Sequence, residues 1–334
     1  MNLRAGRPHP RIMVPIDPAA GLFDSTDLGP ALDGTDLVIL AISSDGVLDV
    51  LDRAVSYFRA ELPLLVTTKG FGYDAAGQVS LLPPLLEAVL PDPLRVGCPI
   101  VAIGGPCKAN EVAVARPTAT MLGCHDRAVA DRVADLLATQ AYHVQTTDDI
   151  NGVEASAAMK NVYAIALGVT DGLEGLGGEP WHNLRAATFA QAVAELQSVA
   201  VTMGGRAETA IGLAGVGDFE VTGLSGRNKV YGARIGKGES AREALDSMVA
   251  ADQTVEGVAA ARFAHELVSQ RASPFCKRSS TCSTAPMSRP CASPKPCSHP
   301  NADRDRSAPG TYASAAREVA ASYFDLKKSK QLSL

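Results

Sequence analysis

The chain has 334 residues, of which 46% are hydrophobic and 20% are charged, and it carries a formal net charge of −5 at pH 7. It is long enough for two globular cores. The acidic balance argues against nucleic acid or an anionic membrane as a partner, since both require a basic face. The sequence holds neither a run of about 18 apolar residues nor the apolar core of a signal peptide, so we expect no membrane insertion. Seven cysteines, an odd number without paired spacing in the globular part, indicate free thiols in a reducing cytoplasm.

The first half of the chain alternates short apolar runs with helical segments. Residues 36–43 form a run rich in β-branched side chains, followed by a Ser-Ser-Asp-Gly cluster, which is typical of a strand buried on both faces. Strands that alternate with helices at this spacing predict βαβ units and an open parallel sheet. Further strands are predicted at 63–68, 100–103 and 118–122, and helices at 46–60, 81–90 and 126–139.

The pattern changes after about residue 147. From 149 to 266 the sequence shows only helix-period segments. The fold class is therefore α/β followed by all-α, with a sheet domain at 1–147 and a helical domain at 148–271. Gly-rich turns are predicted to break the helices at 171–178, 204–205, 215–217 and 223–226.

The last segment, 272–334, has a different composition. Up to about residue 310 it is dense in Ser, Pro, Cys and Arg and lacks apolar periodicity, so we expect a disordered tail. A shifted reading frame is a second explanation. Four cysteines lie at 276, 282, 291 and 297, but zinc ligand pairs usually have two-residue gaps, so no metal site is predicted.

Lys160 lies in a nearly uncharged helical segment. Between residues 153 and 169 the only formal charges are Glu154 and Lys160, which lie about 240° apart around a helix axis and cannot form an i,i+4 pair. Burying an ammonium group costs several kcal/mol unless it is paired or neutralised, and such a lysine can donate or accept a proton. A lysine that extends to the helix surface is the alternative, and the residues alone leave both open.

A second group of polar residues follows two glycine-rich turns. Ser225, Gly226, Arg227 and Asn228 form a turn that opens a helix, where free backbone N–H groups and a guanidinium favour a phosphate; a solvated basic helix start is the alternative. Asp218 follows Gly217 and is either a site carboxylate or a helix-capping residue.

These motifs resemble, in order and approximate spacing, the NAD(P)-dependent glycerol-3-phosphate dehydrogenase family. The helix reads Gly-Val-Glu, then Met-Lys-Asn-Val-Tyr around Lys160, then Gly-Val-Thr-Asp-Gly-Leu. The resemblance covers roughly residues 9–270 and implies a Rossmann-type sheet domain followed by a helical substrate domain. It is carried by the segments 9–11, 33–38, 67–70, 105–119, 152–173, 215–228 and 255–258.

The resemblance implies hydride transfer between NAD or NADP and a small phosphorylated substrate, interconverting dihydroxyacetone phosphate and glycerol 3-phosphate for glycerophospholipid precursors. It makes Lys160 the acid/base, Lys69 a substrate-binding and polarising lysine, and Asp218 the carboxylate that orients Lys160 or accepts a substrate hydroxyl. The implied substrate contacts also include Gly105, Cys107, Asn161, Thr222, Gly226, Arg227 and Asn228, and the implied cofactor contacts are Lys69, Ala109, Arg227, Thr254 and Glu256.

The sequence departs from the family pattern at two places. Cys107 occupies a position where the family has Ser or Thr, and it is a poorer hydrogen-bond donor; Lys108 follows where an aromatic residue is usual. No Gly-x-Gly-x-x-Gly turn follows a predicted strand. We therefore expect an incomplete nucleotide domain that lacks its first strand, helix and second strand, and the choice between NAD and NADP stays open.

Two other functions remain open at this point. One is a related dehydrogenase of a 3-hydroxy acid or a 6-phosphosugar, which would use a similar helical lysine. The other is a truncated gene product that acts at most as a binding scaffold. The long apolar helical faces are compatible with a homodimer.

Overall fold

A computed structural model describes residues 3, 6–9, 12–44, 46–177 and 179–271. The chain divides into two compact units, 1–264 and 265–334. Of the second unit the described part is 265–271, which forms the end of a helix. The predictions for 272–334, including the disordered tail and the cysteine spacing, lie outside the described residues. Within the described ranges, no helix is both long and apolar enough to cross a membrane.

The first unit contains a five-stranded sheet and a separate two-stranded hairpin. The order in the sheet is β1-β2-β5-β6-β7, and β3 pairs with β4 in the hairpin. All four strands predicted from the sequence are present, whereas β7 and the hairpin were not predicted. The strands are β1 (Val38–Leu40), β2 (Leu64–Val66), β3 (Phe71–Tyr73), β4 (Val79–Leu81), β5 (Ile100–Gly104), β6 (Thr118–Gly123) and β7 (Tyr142–Thr147).

The sheet is mostly parallel, with one exception. Pairs β1–β2, β2–β5 and β6–β7 are parallel, but β5 and β6 are antiparallel. The predicted Rossmann-type parallel sheet is therefore confirmed, with one antiparallel pair that was not predicted. The connection between β5 and β6 contains only the four-residue helix α5 (Ala109–Val112). A parallel crossover usually needs a longer helix to carry the chain back along the sheet, so the chain reverses direction here.

Both faces of the sheet carry helices, but one face of β1 is open: Ile39 is 48% exposed, so the prediction that this strand is buried on both faces is wrong. One face packs on α2 (Val47–Ala54) and α3 (Leu82–Val89), and the other on α6 (Arg127–Leu137). These helices confirm the predicted ones, although the helix expected at 46–60 ends earlier and continues as a single 3₁₀ turn. The two short remaining helices before residue 147 are α1 (Leu28–Leu32) and α4 (Asp92–Gly97).

The described residues after β7 form helices and short connections. The division predicted at residue 147 falls where β7 ends, and it stays a prediction. A π-helical turn at Leu213–Gly217 replaces the glycine turn expected there. The helices are α7 (Ile150–Gly177), α8 (His182–Thr202), α9 (Ala207–Ile211), α10 (Asp218–Leu224), α11 (Arg227–Gly236), α12 (Ala241–Ala250) and α13 (Glu256–Arg271).

Helices α7 and α11 cross in backbone contact, and this contact corrects a prediction. The turn expected at 171–178 is wrong, because α7 continues through it to its end at Gly177. A Cβ added to Gly172 would lie 2.3 Å from the carbonyl oxygen of Ala233, and one added to Gly232 would lie 2.0 Å from that of Ile165. Gly172 of α7 and Gly232 of α11 therefore serve helix packing rather than a turn.

Candidate active site

Lys160 and Asp218 form an ion pair at the centre of the site. Lys160 lies on α7 and is 13% exposed, and Asp218 begins α10 and is 3% exposed. Oδ2 of Asp218 also accepts a hydrogen bond from the backbone N–H of Gly105 at 3.2 Å. Burial lowers the pKa of Lys160, and the neighbouring Asp218 charge opposes that effect. The structure thus makes Lys160 a largely buried lysine with a carboxylate partner, rather than one that extends to solvent.

Two strand-end loops lie at the same edge of the sheet. Lys69 follows β2, and its Nζ donates to the carbonyl oxygen of Thr67 at 3.4 Å. Gly105 follows β5 with φ of +146°, and a Cβ there would lie 2.8 Å from the Cα of Thr120. The carboxyl ends of adjacent parallel strands form the crevice in which ligands bind in open α/β sheets. Lys69 and Gly105 are therefore placed where the sequence predicted site residues.

Glu154 is a buried acid that the sequence reasoning did not assign to the site. It lies on α7 with no exposed surface. Its Oε1 accepts a hydrogen bond from the backbone N–H of Gly70 at 3.2 Å, and its Oε2 has no hydrogen-bond partner. Burial raises the pKa of Glu154 to about 7, while the charges of Lys69 and Lys160 oppose the rise. The signal available in the sequence was a formal charge on a mostly apolar helix.

Two buried amides connect α7 to α11. Nδ2 of Asn228 donates to Oδ1 of Asn161 at 2.9 Å, and Oδ1 of Asn228 accepts from the backbone N–H of Gly257 at 2.9 Å. Nδ2 of Asn161 donates to Oε2 of Glu256 at 3.2 Å. Asn161 follows Lys160 in the sequence, so these hydrogen bonds connect the Lys160 segment of α7 to α11 and α13. Each amide keeps one N–H that these bonds do not use.

Arg227 lies at the start of α11, where the turn was predicted. Gly226 precedes it with φ of +149°, a conformation that favours glycine. Arg227 donates to Oγ1 of Thr254 at 2.6 Å and lies 3.4 Å from Oε1 of Glu256. The Arg227 side chain is 45% exposed, so it is held by two neighbours and remains accessible to a ligand.

The loop after Gly105 contacts neighbouring elements through two side chains. Sγ of Cys107 lies 3.2 Å from the hydroxyl of Tyr142, and burial together with this sulfur raises the pKa of Tyr142. Nζ of Lys108 donates to Oγ of Ser225, beside the Arg227 turn. Ala109 begins α5. The two residues that depart from the family pattern thus fasten the loop to β7 and to the start of α11.

Thr222 is the remaining predicted substrate contact. Its hydroxyl donates to the backbone carbonyl oxygen of Asp218, one turn earlier in α10, at 2.7 Å. The hydroxyl proton is therefore engaged within the helix, and Thr222 can offer a ligand only its oxygen lone pairs.

Comparison with known proteins identifies the family. Two family models match, described as the N-terminus and the C-terminus of NAD-dependent glycerol-3-phosphate dehydrogenase, over residues 2–130 and 149–279. The Bacillus pumilus glycerol-3-phosphate dehydrogenase [NAD(P)+] is 34% identical over 250 residues, which are 74% of this chain and 69% of that protein. The NADP(+)-dependent glycerol-3-phosphate dehydrogenase of Archaeoglobus fulgidus is 33% identical over 270 residues, 80% of this chain and 79% of that protein.

Among solved structures, glycerol-3-phosphate dehydrogenase from Coxiella burnetii is similar to this chain. It superposes with a TM-score of 0.62 at 30% identity, covering 74% of this chain and 71% of the other. The sheet, the helical part and the order of the site motifs therefore agree with the sequence matches. The chain belongs to the NAD(P)-dependent glycerol-3-phosphate dehydrogenase family.

Proposed function

We propose that the chain interconverts dihydroxyacetone phosphate and sn-glycerol 3-phosphate with NAD or NADP, and that Lys160 donates and accepts the proton at the C2 oxygen. The observation that carries the proposal is the largely buried Lys160–Asp218 ion pair at the edge of the sheet. Reduction of the ketone places negative charge on its oxygen, which needs a proton donor within reach. An ammonium held by a fixed carboxylate meets that need.

Asp218 and Lys69 would support the proton transfer. Asp218 is held by the Gly105 backbone as well as by Lys160, so its position does not depend on the lysine alone. Lys69, at the end of β2, donates a long hydrogen bond of 3.4 Å to the carbonyl oxygen of Thr67. Its ammonium is therefore suited to turn towards the substrate oxygen and polarise it.

The residues at this edge fit the nicotinamide end of the cofactor. Lys69 and Arg227 are accessible cations at an edge where dinucleotides bind in such sheets, and Ala109, Thr254 and Glu256 lie on the neighbouring loop and helix. When bound, the nicotinamide supplies or accepts the hydride. Because no Gly-x-Gly-x-x-Gly turn follows a strand in this sequence, no residue of the described ranges is assigned to the pyrophosphate.

The start of α11 would bind the substrate phosphate. The helix has ten residues, and its free N–H groups point towards the turn at Gly226. Arg227 adds a planar guanidinium that can bind two phosphate oxygens. Asn228 follows Arg227 and Asn161 follows Lys160, and the hydrogen bond between the two amides connects the phosphate turn to the Lys160 segment. This connection suits a substrate that carries its phosphate near its carbonyl.

Replacing Arg227 with glutamine tests the phosphate site. Hydrogen bonds to charged groups contribute about 1.5–3 kcal/mol, so we expect KM for dihydroxyacetone phosphate to rise about 10- to 100-fold with a much smaller change in kcat. Steady-state oxidation of NADH and NADPH measures both constants. Arg234→Gln is the matched control, because Arg234 lies on the same helix and pairs with Glu239. An unchanged KM in Arg227→Gln would remove this residue from the phosphate site.

The alternatives from the sequence are less well supported. The matched relatives favour this reaction over a hydroxy-acid or 6-phosphosugar dehydrogenase and over a binding scaffold. A cytoplasmic location is favoured by the free thiols of Cys98, Cys107 and Cys124.

A homodimer is also part of the proposal, and sedimentation of the purified chain would test it.

A further inference from the structure

We propose that Glu154 is a positioning residue of the reaction: its buried carboxylate compensates the two ammonium groups of Lys69 and Lys160 and keeps Lys160 in its proton-donating form. The inference rests on the role proposed above for Lys160. It adds Glu154 to the carboxylates of the site, Asp218 and Glu256. Three observations support it.

The first observation is the placement of Glu154. Its side chain has no exposed surface, and one oxygen is anchored to the backbone N–H of Gly70, next to Lys69. Glu154 therefore connects α7, which carries Lys160, to the loop that carries Lys69. A carboxylate with a structural role only could be replaced here by any acceptor that binds the Gly70 N–H.

The second observation is the oxygen that lacks a partner. Oε2 of Glu154 is buried and makes no hydrogen bond. A buried polar atom without a partner is costly, and a buried charge without compensation costs more. Such a group persists where nearby opposite charge or a functional role compensates it. The site offers that compensation in two cations.

The third observation is the set of charges around the group. Lys69, from the loop after β2, and Lys160, on the same helix, both act on Glu154. Three charged groups act on Lys160: Asp218 from α10, Glu256 from α13 and Lys69 from the loop after β2. Lys69 disfavours the ammonium form of Lys160, and the two carboxylates favour it. Because the interaction between two charges is mutual, the Lys160 charge that acts on Glu154 is also acted on by Glu154. Without Glu154, the repulsion between the two lysines would be opposed near Lys160 by Asp218 and Glu256.

The charge of Glu154 then has a chemical consequence. Ketone reduction consumes a proton from the Lys160 ammonium, so the reactive form in that direction is the charged lysine. A nearby negative charge stabilises that form and extends it to higher pH. Glu154 would thus set the upper pH limit of the reducing direction without touching the substrate.

The experiment is an NMR titration of Lys160 in the full chain labelled with [6-¹³C]lysine, with the Lys160 signal assigned from Lys160→Arg. Glu154→Gln keeps the volume and an oxygen for the Gly70 N–H but removes the charge. We expect the titration midpoint of Lys160 to fall by on the order of one pH unit, so that above the midpoint about tenfold less ammonium is present. Glu154→Asp, which retains the charge, should recover most of the shift.

The control is Glu195→Gln, which removes a carboxylate on α8 that is exposed and hydrogen-bonded to Gln191; the midpoint should not move. A second readout needs no variant. Because burial raises the pKa of Glu154 to about 7, the wild-type Lys160 signal should show an additional inflection near that pH. An unchanged midpoint in Glu154→Gln, or a wild-type curve without the inflection, overturns the proposal.

The titration also separates this proposal from the proposed function. It reports the charge of Lys160 and does not require turnover. If the chain did not reduce dihydroxyacetone phosphate but the Lys160 midpoint fell in Glu154→Gln, the charge compensation would be supported and the proposed reaction contradicted. If turnover were present but the Lys160 midpoint did not change in Glu154→Gln, the reaction would be supported and the role of Glu154 contradicted.

Discussion

Lys160→Met is expected to lower kcat for reduction of dihydroxyacetone phosphate by at least about 100-fold, the lower end of the contribution of a positioned acid or base. Methionine fills a similar volume in the apolar part of α7 but has no proton to donate. Removal of one partner from a buried ion pair leaves the other charge uncompensated, here Asp218, which keeps its bond to the Gly105 N–H. The measurement is steady-state kinetics with NADH and NADPH.

Two control variants test whether the loss of kcat comes from removal of any lysine or from lower stability. Lys237→Met removes an exposed lysine at the C-terminal end of α11 and should leave kcat unchanged. Lys160→Met combined with Asp218→Asn removes both charges and should recover any stability that the single variant loses, while kcat stays low. Turnover within a few-fold of wild type in Lys160→Met would exclude Lys160 as the acid/base.

Gly232→Ala is expected to destabilise the fold by about 3 kcal/mol or more, at the upper end of the cost of overpacking. The added methyl group would lie 2.0 Å from the carbonyl oxygen of Ile165 in α7, and backbone atoms cannot rotate away as a flexible side chain can. Urea denaturation would show the loss as a lower midpoint with an unchanged slope. Because α11 begins at Arg227, any displacement of the helix should also raise KM for the phosphorylated substrate.

The matched control lies on the other helix of the same pair. A Cβ at Gly175 would meet only Cε of Lys237, at 3.3 Å, and that side chain is flexible. Since alanine is a better helix former than glycine, Gly175→Ala should leave the unfolding midpoint unchanged or raise it. Equal stability in the two alanine variants would contradict the proposed backbone contact.

Much of the sheet and of the site could be predicted from the sequence. The strands β1, β2, β5 and β6 are short apolar runs bounded by turn residues, and local composition is enough to identify them. Lys160 was identifiable because a formal charge is rare on an apolar helix. Its alternative, a lysine at the helix surface, could be excluded only by the fold, since Asp218 comes from a helix far along the chain.

The predictions that failed depended on contacts between distant segments. The glycines near residue 172 indicate a turn when the chain is considered alone, but they allow α11 to approach α7. The direction of β6 depends on how its connection crosses the sheet. The spacing of apolar residues predicts that β6 is a strand, but it does not specify this direction. Glu154 was visible as a charge, but its relation to Lys69 required the anchoring bond to the Gly70 backbone.

The crossing of α7 and α11 also has a consequence for which molecules can react. Lys160 belongs to one helix and Arg227 to the other, and the bonded amides of Asn161 and Asn228 join the helices between them. The distance between Lys160 and Arg227 is therefore fixed by the packed helices. A ketone whose phosphate is one carbon farther from its carbonyl should contact Lys160 or Arg227 but not both at once. Elongation of the molecule by a single carbon should therefore reduce kcat/KM and not only raise KM.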